Sequence, residues 1–316
     1  MGIKQMVKPE ITVIVCCYNS SLDKLKKTIV SIEKQKNVSF NVIISDDGSK
    51  ENNKEEVKSW SLSKGFRNIT YNFLTRNVGT VSNIISALKL TVTEFVKTIS
   101  PGDFLFDEFS LYKYVIQFRK SNADIVYCKG RYFTPEGEII NSKSPLSPIT
   151  SSKLFMKKNI CLYGDCILGA SIAAKTSVEL YYLSKIQGKV KLLEDVPLTC
   201  LALLDKKKIS YCKSYLVWYE YGLGISTKAG KPNPTLVNDF NSFYNYLSNH
   251  FVTRFTKKIV RFQAIEKSSN RWVRFIKKCL ISPMYLLFKL STLFPHTHKP
   301  TKKEYNQLSF ITEGWE

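Results

Sequence analysis

The chain has 316 residues, enough for one large domain or two modest ones, and its apolar share of 44% excludes a disordered protein. Its 47 basic residues outnumber 26 acidic ones, and the net charge of +21 favours anionic partners such as nucleic acid, an acidic membrane surface or a phosphorylated ligand. The eight cysteines are scattered without a C-x-x-C pair, which predicts reduced thiols in a cytosolic protein rather than a zinc site or disulfides. The amino terminus lacks the apolar segment of a signal peptide.

The first hundred residues alternate apolar runs with helical patterns. Strands are predicted at 11–17, 40–44, 69–74 and 95–99, and helices at 22–32, 50–64 and 81–88. This alternation is typical of a doubly wound, mostly parallel α/β sheet with right-handed crossovers. Polar turns follow three of the strands, at Tyr18, at Asp46-Asp47 and at Asp103. Since ligands bind outside the carboxyl ends of such strands, we expect these turns to face one crevice.

The rest of the chain up to residue 234 continues as a mixture of strands, helices and loops. The predicted elements are a helix at 107–120, a strand at 123–128, a hairpin turn at 134–137, an irregular acceptor-side loop at 142–165, a strand at 168–174, a helix at 176–185, a helix from Pro197 to Leu204, a strand at 208–219, a glycine-containing loop at 220–227 and a linker at 228–234. Neither G-x-G-x-x-G nor G-x-x-x-x-G-K-[ST] follows the first strand, which argues against dinucleotide-dependent oxidoreductases and P-loop NTPases.

Four motifs together resemble one known family. They are Val-Ile-Val-Cys-Cys-Tyr-Asn at the first strand, Ser-Asp-Asp-Gly-Ser after the second, Arg-Asn-Val-Gly-Thr after the third and Ser-Pro-Gly-Asp after the fourth. In order and spacing they are similar to the GT-A-fold family 2 glycosyltransferases of bacterial surface-polysaccharide type. The resemblance covers roughly residues 10–227. It implies an inverting hexosyltransferase that uses a nucleoside-diphosphate sugar, with UDP or dTDP favoured.

The resemblance also implies a set of donor-binding residues. In the family, the residues after the first strand and the acidic turn hold the base and ribose, while the later turns and a small glycine-serine segment approach the diphosphate. The corresponding positions here are Cys16, Tyr18, Asp46, Asp47, Asn77, Gly79, Gly102, Asp103 and Ser226. Tyr18 can stack on a pyrimidine, and Asp47 can accept the imide N–H of uracil or thymine. The alternatives are a packed core aromatic for Tyr18, a solvated Asx turn for Asp46-Asp47 and a simple glycine turn before Ser226.

The D-x-D motif of the family is incomplete in this chain. Ser100 and Gly102 occupy the usual aspartate positions, and only the following Asp103 remains. In the family, that last carboxylate ligates the divalent cation bridging the diphosphate, so the resemblance implies Mg²⁺ or Mn²⁺ at Asp103. One protein carboxylate can suffice, since Mg²⁺ keeps water and phosphate oxygens in its shell.

A second acidic pair, Glu194-Asp195, precedes the helix predicted from Pro197. The resemblance implies that Asp195 is the catalytic base, and Glu194 is the second candidate for this role. Asp195 would take the proton of an acceptor hydroxyl during a single in-line displacement. The alternative is a plain helix N-cap, because Asp is a common capping residue.

The carboxyl-terminal region, residues 235–316, differs in character. From Phe251 to Phe294 it interleaves ten basic residues with aromatic and aliphatic ones, opposed only by Glu266. The apolar stretches are too short for a transmembrane helix and predict a basic amphipathic pair of helices on an anionic membrane surface. The alternative is a solvated helical face packed on the catalytic domain.

The leading hypothesis is a cytosolic enzyme at the inner face of the cell membrane that adds a sugar to a lipid-linked surface glycan such as capsule or O-antigen. Its partners would be the nucleotide sugar, the glycan acceptor and the anionic membrane. Two alternatives remain open at this point. A nucleic-acid-binding protein would also carry +21 and basic-aromatic segments, and a GT-A-like scaffold without catalysis would tolerate Ser100 and Gly102.

Overall fold

The computed structural model describes residues 8–50, 54–66, 68–140, 159–163, 167–224, 233–251, 253–265, 270–291 and 299–312. The described strands are β1 Ile11–Cys17, β2 Phe40–Asp46, β3 Ile69–Phe73, β4 Phe95–Ile99, β5 Phe104–Leu105, β6 Ile125–Phe133, β7 Ile139–Ile140, β8 Ala173–Lys175 and β9 Ile209–Glu220. The described α-helices are α1 Leu22–Glu33, α2 Lys54–Ser63, α3 Thr80–Leu88, α4 Ser110–Ser121, α5 Thr176–Ile186, α6 Asp195–Leu204, α7 Pro234–His250, α8 Arg254–Ala264, α9 Arg271–Ile281, α10 Met284–Ser291 and α11 Lys302–Thr312.

All the described strands belong to one sheet, in the order β3-β2-β1-β4-β8-β6-β9-β5, with β7 added beside β6. The long strands pair in parallel: β1 with β2 and β4, β2 with β3, and β6 with β9. Only the two- and three-residue strands β5, β7 and β8 pair antiparallel. The predicted α/β class with a mostly parallel sheet is therefore confirmed.

Helices cover both faces of the sheet, which explains why its first strand is apolar throughout. Val13 and Val15 of β1 contribute to one buried cluster, with α1 and α4. Ile14, which points the opposite way, contributes to the other cluster, with α3, α5 and α6. Because successive side chains of a strand face opposite sides, a strand buried on both faces needs apolar residues at every position.

Several predicted element boundaries change in the structure. The predicted strand at 168–174 is instead a 3₁₀ turn, Gly169–Ser171, followed by the short strand β8. The helix predicted to have Pro197 in its first turn is α6, which begins at Asp195 and has Pro197 as its third residue. The strand predicted at 123–128 extends to Phe133, and Gly137 closes the predicted hairpin turn by donating to the carbonyl of Thr134 at 2.9 Å. Most of the predicted loop at 142–165 and the linker at 228–232 lie outside the described residues.

The basic segment from Phe251 to Phe294, predicted as a pair of helices, contains three described helices, α8 to α10, and α7 and α11 flank them. Residues from α7, α8 and α10 enter the same buried cluster as α3 and α5, among them Phe243, Phe262 and Phe288. The last helix, α11, packs on the far end of the sheet, where Glu304 pairs with the fully buried Arg131 of β6 at 3.2 Å. These helices therefore share the core of the sheet. The division of the chain between residues 227 and 235 stays a prediction.

Candidate active site

The carboxyl ends of β1, β2 and β4 lie side by side. The register pairs Cys17 with Asp46 and Val15 with Ile99, so the turns that follow these strands open at one edge of the sheet. The three polar turns therefore lie at the same edge of the sheet, as predicted, and a single crevice shared by all three stays a prediction. The site is built from this edge.

Hydrogen bonds tie the first two turns together. The backbone N–H of Asn19 donates to Ser49 Oγ at 2.7 Å, and Asn19 Oδ1 accepts from the backbone N–H of Lys50 at 3.0 Å. Asp46 accepts from the Ser49 N–H at 2.9 Å and from the Ser49 hydroxyl at 2.6 Å. Gly48 between them has φ of +70°, and a Cβ there would lie 2.4 Å from the backbone of Arg76. Only glycine fits this close approach between the turns.

A cavity of about 300 Å³ opens between these turns and α2. Its lining includes Cys17, Asn19, Asp46, Lys50 and Phe73. The ring of Tyr18, next to the cavity in sequence, is 46% exposed, so the packed core alternative for this residue is wrong. The carboxylate of Asp46, the ammonium group of Lys50 and the ring of Phe73 line one concave surface, which is the type of surface that holds a small ligand.

Asp47 is buried and clamps the next turn. Its Oδ1 accepts from the backbone N–H of Val78 at 2.7 Å, and its Oδ2 accepts from the N–H of Gly79 at 2.9 Å. Gly79 is the N-cap of α3, with φ of +90°, and Asn77 beside it is exposed. The solvated Asx-turn alternative therefore does not describe Asp47, and Asp46 instead bonds the backbone of Ser49, three residues further along the chain. Both oxygens of Asp47 are engaged by the protein, and recognition of a base by this carboxylate stays a prediction.

Asp103 lies in the turn between β4 and β5, held by α1. Thr28 of α1 donates to the carbonyl of Asp103 at 2.9 Å and accepts from the N–H of Gly102 at 3.0 Å. Asp103 Oδ1 accepts from the backbone N–H of Glu220 at 3.0 Å. Burial raises the pKa of Asp103 to about 7, although nearby Lys97 and Lys24 act in the opposite direction. Among the described residues there is no group of three or more His, Cys, Asp or Glu that could hold a metal.

A fully buried ammonium, Lys97 of β4, lies behind the crevice. Its Nζ donates to the carbonyls of Thr98 and, at 2.7 Å, of Ala170. Burial lowers the pKa of Lys97 to about 8, while the charges of Asp103 and Glu179 oppose that shift. Burial likewise raises the pKa of Glu179 on α5 to about 7. The sequence contains a signal for the role of Lys97, because a charged residue inside an apolar strand indicates a buried ammonium group that needs hydrogen-bond or charge partners.

Glu194 and Asp195 stand at the start of α6. Asp195 Oδ1 accepts from the N–H of Val196 at 2.7 Å, while Glu194, at the N-cap position, makes no side-chain capping bond. Burial raises the pKa of Glu194 to about 8, and the charges of Asp195, Glu179 and Asp239 raise it further. The N-cap position thus belongs to Glu194 rather than to Asp195, and no side chain caps the helix there. Perturbed carboxylates in a crevice are candidates for proton transfer.

The thiol of Cys16 links the two acidic centres. Burial raises its pKa, and the charges of Cys17, Glu194, Glu179 and Asp47 raise it further. The carboxylates of Asp47 and Glu194 therefore both act electrostatically on the strand end that carries Cys16.

The loop before the acidic pair is fixed by a residue from the carboxyl-terminal region. The buried carboxylate of Asp239 on α7 accepts from the backbone N–H groups of Lys191 at 3.0 Å, Leu192 at 2.6 Å and Leu193 at 3.2 Å. The carbonyl of Lys191 in turn accepts from Val81 of α3 at 3.0 Å. Sequence reasoning missed Asp239, Glu179, Lys97 and Glu220, and nothing in the local sequence around Asp239 indicated its role. The predicted donor residue Ser226 lies outside the described residues.

Comparisons with known proteins agree with this fold. A model of the family "Glycosyl transferase family 2" matches residues 12–172, half of the chain. Among solved structures, that of S. aureus TarS 1-349 in complex with UDP-GlcNAc is 15% identical with a TM-score of 0.62, and the match covers 96% of this chain and 91% of that one. The corresponding complex with UDP gives 14% identity, a TM-score of 0.57 and coverage of 96% and 90%. No curated protein matches the sequence.

Proposed function

Since this chain belongs to glycosyl transferase family 2, we propose that it moves a sugar from a nucleoside-diphosphate sugar, preferably a UDP or dTDP sugar, to a hydroxyl of a growing glycan. One observation carries the proposal: the polar turns after β1, β2 and β4 lie at one edge of the sheet, where Asp46 lines a cavity of about 300 Å³. The structural neighbours crystallised with UDP-GlcNAc and UDP support a uridine nucleotide as the first donor to test.

The donor would lie along the strand ends. Tyr18 offers an exposed ring for the base, next to the cavity that Asp46 lines. Cys16, Asp47, Asn77 and Gly79 would complete the nucleoside side, and Gly102, Asp103 and Ser226 the diphosphate side. Because Asp47 already accepts two backbone N–H groups, its first role is to hold the turn on which Asn77 stands.

The reaction would be a single displacement with inversion at the anomeric carbon. Asp195 accepts the proton of the acceptor hydroxyl, the acceptor oxygen forms a bond to the anomeric carbon, and the bond from that carbon to the diphosphate oxygen breaks. The nucleoside diphosphate leaves with the bonding electron pair. Glu194, desolvated beside Asp195, would keep a proton near neutral pH, which leaves Asp195 as the base of the pair.

The chemistry of Asp103 fits a divalent cation. It is a buried carboxylate whose pKa burial raises to about 7, so a nearby Mg²⁺ or Mn²⁺ would stabilise its ionised form. Such a cation takes oxygen ligands and is commonly held by one or two carboxylates together with substrate phosphates. When bound, it would neutralise charge on the leaving diphosphate. The described residues contribute Asp103 to this role.

The acceptor would be lipid-linked and the enzyme peripheral to the inner face of the cell membrane, as in capsule or O-antigen synthesis. In support, α9 leaves Trp272, Ile276 and Leu280 strongly exposed, at 75%, 56% and 78%, on one face of a helix that also carries Arg271 and Lys277. Such a basic helix with an apolar face binds anionic bilayers in the interface plane. None of the described helices has the length and apolarity needed to cross a bilayer.

A thermal-shift experiment tests the donor site. Purified protein is melted with UDP, dTDP, GDP or CMP, each with and without Mn²⁺, and the series is repeated on Asp103→Asn. A nucleotide that binds only the folded state raises the melting temperature by mass action. We expect UDP or dTDP to stabilise the wild type, more strongly with Mn²⁺, and the Mn²⁺-dependent part to disappear in the variant. If no nucleotide stabilises the wild type, the transferase proposal fails.

A further inference from the structure

Gly102 leaves a space that the side chain of Glu220 fills. Gly102 has φ of +103°, and a Cβ built on it would lie 2.6 Å from Glu220 Oε2 and 3.4 Å from Lys24 Cδ. A side chain at position 102 and the Glu220 carboxylate therefore cannot occupy the same space. Position 102 is one of the two at which this chain lacks the aspartates of the D-x-D pattern.

Glu220 is bonded to the carboxylate that remains. Its backbone N–H donates to Asp103 Oδ1 at 3.0 Å. Asp103 is 7% exposed, and its Oδ2 takes no hydrogen bond from the part of the chain that the structure describes. The end of β9 thus brings a second carboxylate beside Asp103, although Asp103 and Glu220 are 117 positions apart in the chain.

Lys24 fixes the direction of the Glu220 side chain. Its Nζ lies 2.5 Å from Glu220 Oε2, and the two side chains are 30% and 11% exposed. Lys24 belongs to α1, the same helix whose Thr28 holds the turn at Gly102. Two carboxylates and one ammonium therefore converge at the turn that ends β4, which is the expected position of a donor diphosphate.

We propose that Glu220 supplies the carboxylate that the sequence lacks at position 102, so that Asp103 and Glu220 together form the protein side of the cation-diphosphate subsite, with Lys24 as the residue that positions Glu220. The inference rests on the proposed function. It fits the preference of Mg²⁺ and Mn²⁺ for one or two carboxylates completed by phosphate oxygens. It also explains why a glycine at position 102 is compatible with a working site: any side chain there would displace Glu220.

The test measures Mn²⁺ binding rather than turnover. Mn²⁺ is titrated into protein saturated with UDP, and free Mn²⁺ is followed by electron paramagnetic resonance. Glu220→Gln removes the charge, keeps the size of the side chain and leaves the backbone N–H bond to Asp103 in place. The matched control is Glu108→Gln, which alters an equally short surface ion pair, Lys36 to Glu108 at 2.5 Å. Melting without ligand verifies that both variants fold.

We expect Glu220→Gln to weaken Mn²⁺ binding in the UDP complex at least tenfold and the control to match the wild type. Wild-type Mn²⁺ affinity in Glu220→Gln, together with its loss in Asp103→Asn, would overturn this inference while leaving the proposed function intact. A wild type that binds neither UDP nor Mn²⁺ with UDP would overturn both. Loss of UDP binding without Mn²⁺ in Glu220→Gln would contradict the assignment to the cation, because it would place the effect on the nucleotide itself.

Discussion

The Asp239 carboxylate accepts a hydrogen bond from the backbone N–H of Leu192 at 2.6 Å, two residues before Glu194. A helix of the carboxyl-terminal region thus holds the loop that presents the acidic pair. Asp239 also raises the pKa of Glu194, after the larger effects of burial and Asp195. The carboxyl-terminal helices are therefore part of how the site is built, in addition to any contact they make with a membrane.

The first prediction concerns this loop. Asp239→Ala leaves the N–H groups of Lys191, Leu192 and Leu193 without their acceptor, and we expect the free energy of unfolding to fall by about 2–3 kcal/mol. Chemical denaturation measures it. Asp239→Asn keeps one acceptor oxygen, so its free energy of unfolding should fall less than that of Asp239→Ala. Equal stability of the wild type and Asp239→Ala would show that the loop is held by other contacts.

The second prediction uses Gly169, whose added Cβ would lie 2.7 Å from Asp195 Oδ2. Gly169→Ala should therefore move the Asp195 carboxylate and lower turnover roughly tenfold or more, with donor affinity unchanged. The matched control is Gly130→Ala, because a Cβ added at Gly130 would lie 2.3 Å from the end of the Leu168 side chain and not beside Asp195. Assays with saturating donor and a melting curve for each variant distinguish displacement of the base from loss of folding. Equal losses of turnover in the two variants would contradict the assignment of Asp195 as the base.

The third prediction follows from the pKa of Glu194, which burial and the charge of Asp195 raise to about 8. The folded state holds the proton of Glu194 more tightly than the unfolded state does. The protonated carboxyl therefore stabilises the fold fully below about pH 4.5, and this stabilisation is lost as the pH rises through 8. Glu194→Gln stays neutral at all these values. We expect the free energy of unfolding of this variant to exceed that of the wild type by ~2 kcal/mol at pH 8.5 and to be close to it at pH 5. Thermal or chemical denaturation at the two pH values measures the difference. A constant difference across the range would show that Glu194 does not titrate as described.

The fourth prediction concerns the exposed face of α9. Trp272→Ala combined with Leu280→Ala should lower binding to vesicles of anionic phosphatidylglycerol at least tenfold, because each side chain loses ~1.5 kcal/mol or more of apolar burial. Leu62→Ala with Val92→Ala is the control, since these side chains are 70% and 76% exposed elsewhere. Sedimentation with vesicles measures binding, and neutral phosphatidylcholine vesicles should bind weakly. Unchanged binding of the α9 variant to anionic vesicles would rule out this face as the contact.

The sequence predicts the half of the sheet whose strands follow one another in the chain. The apolar run of β1 and the turns at Asp46 and Asp103 have local signals, because buried parallel strands are apolar throughout and end at polar turns. The pairing of Glu220 with the space at Gly102 has no such signal, since it depends on β9 lying beside β5. The short strand β5 and the carboxylate of Asp239 were missed for the same reason. The local sequence of β5 and that around Asp239 contain no pattern that predicts these roles, because both depend on segments that are distant in the chain.

The amphipathic pattern of the carboxyl-terminal region was predicted, but its partners were not. Ile259 and Phe262 of α8 pack into the core, whereas Trp272 and Leu280 of α9 stay exposed, although both helices alternate basic and apolar residues. Periodicity identifies an apolar face and leaves open what covers it. The packed alternative therefore describes α8, and the membrane proposal now rests on α9.

The most direct test of the account measures release of UDP from UDP-GlcNAc by the wild type and by Asp195→Asn, with donor affinity determined in parallel by calorimetry. Membrane extract supplies the acceptor. The account predicts that the variant binds the donor as the wild type does and releases UDP at least a hundredfold more slowly, because only the base is lost. Release at the wild-type rate by Asp195→Asn would contradict the assignment of the base. Donor binding without release by the wild type would identify a scaffold that has lost catalysis.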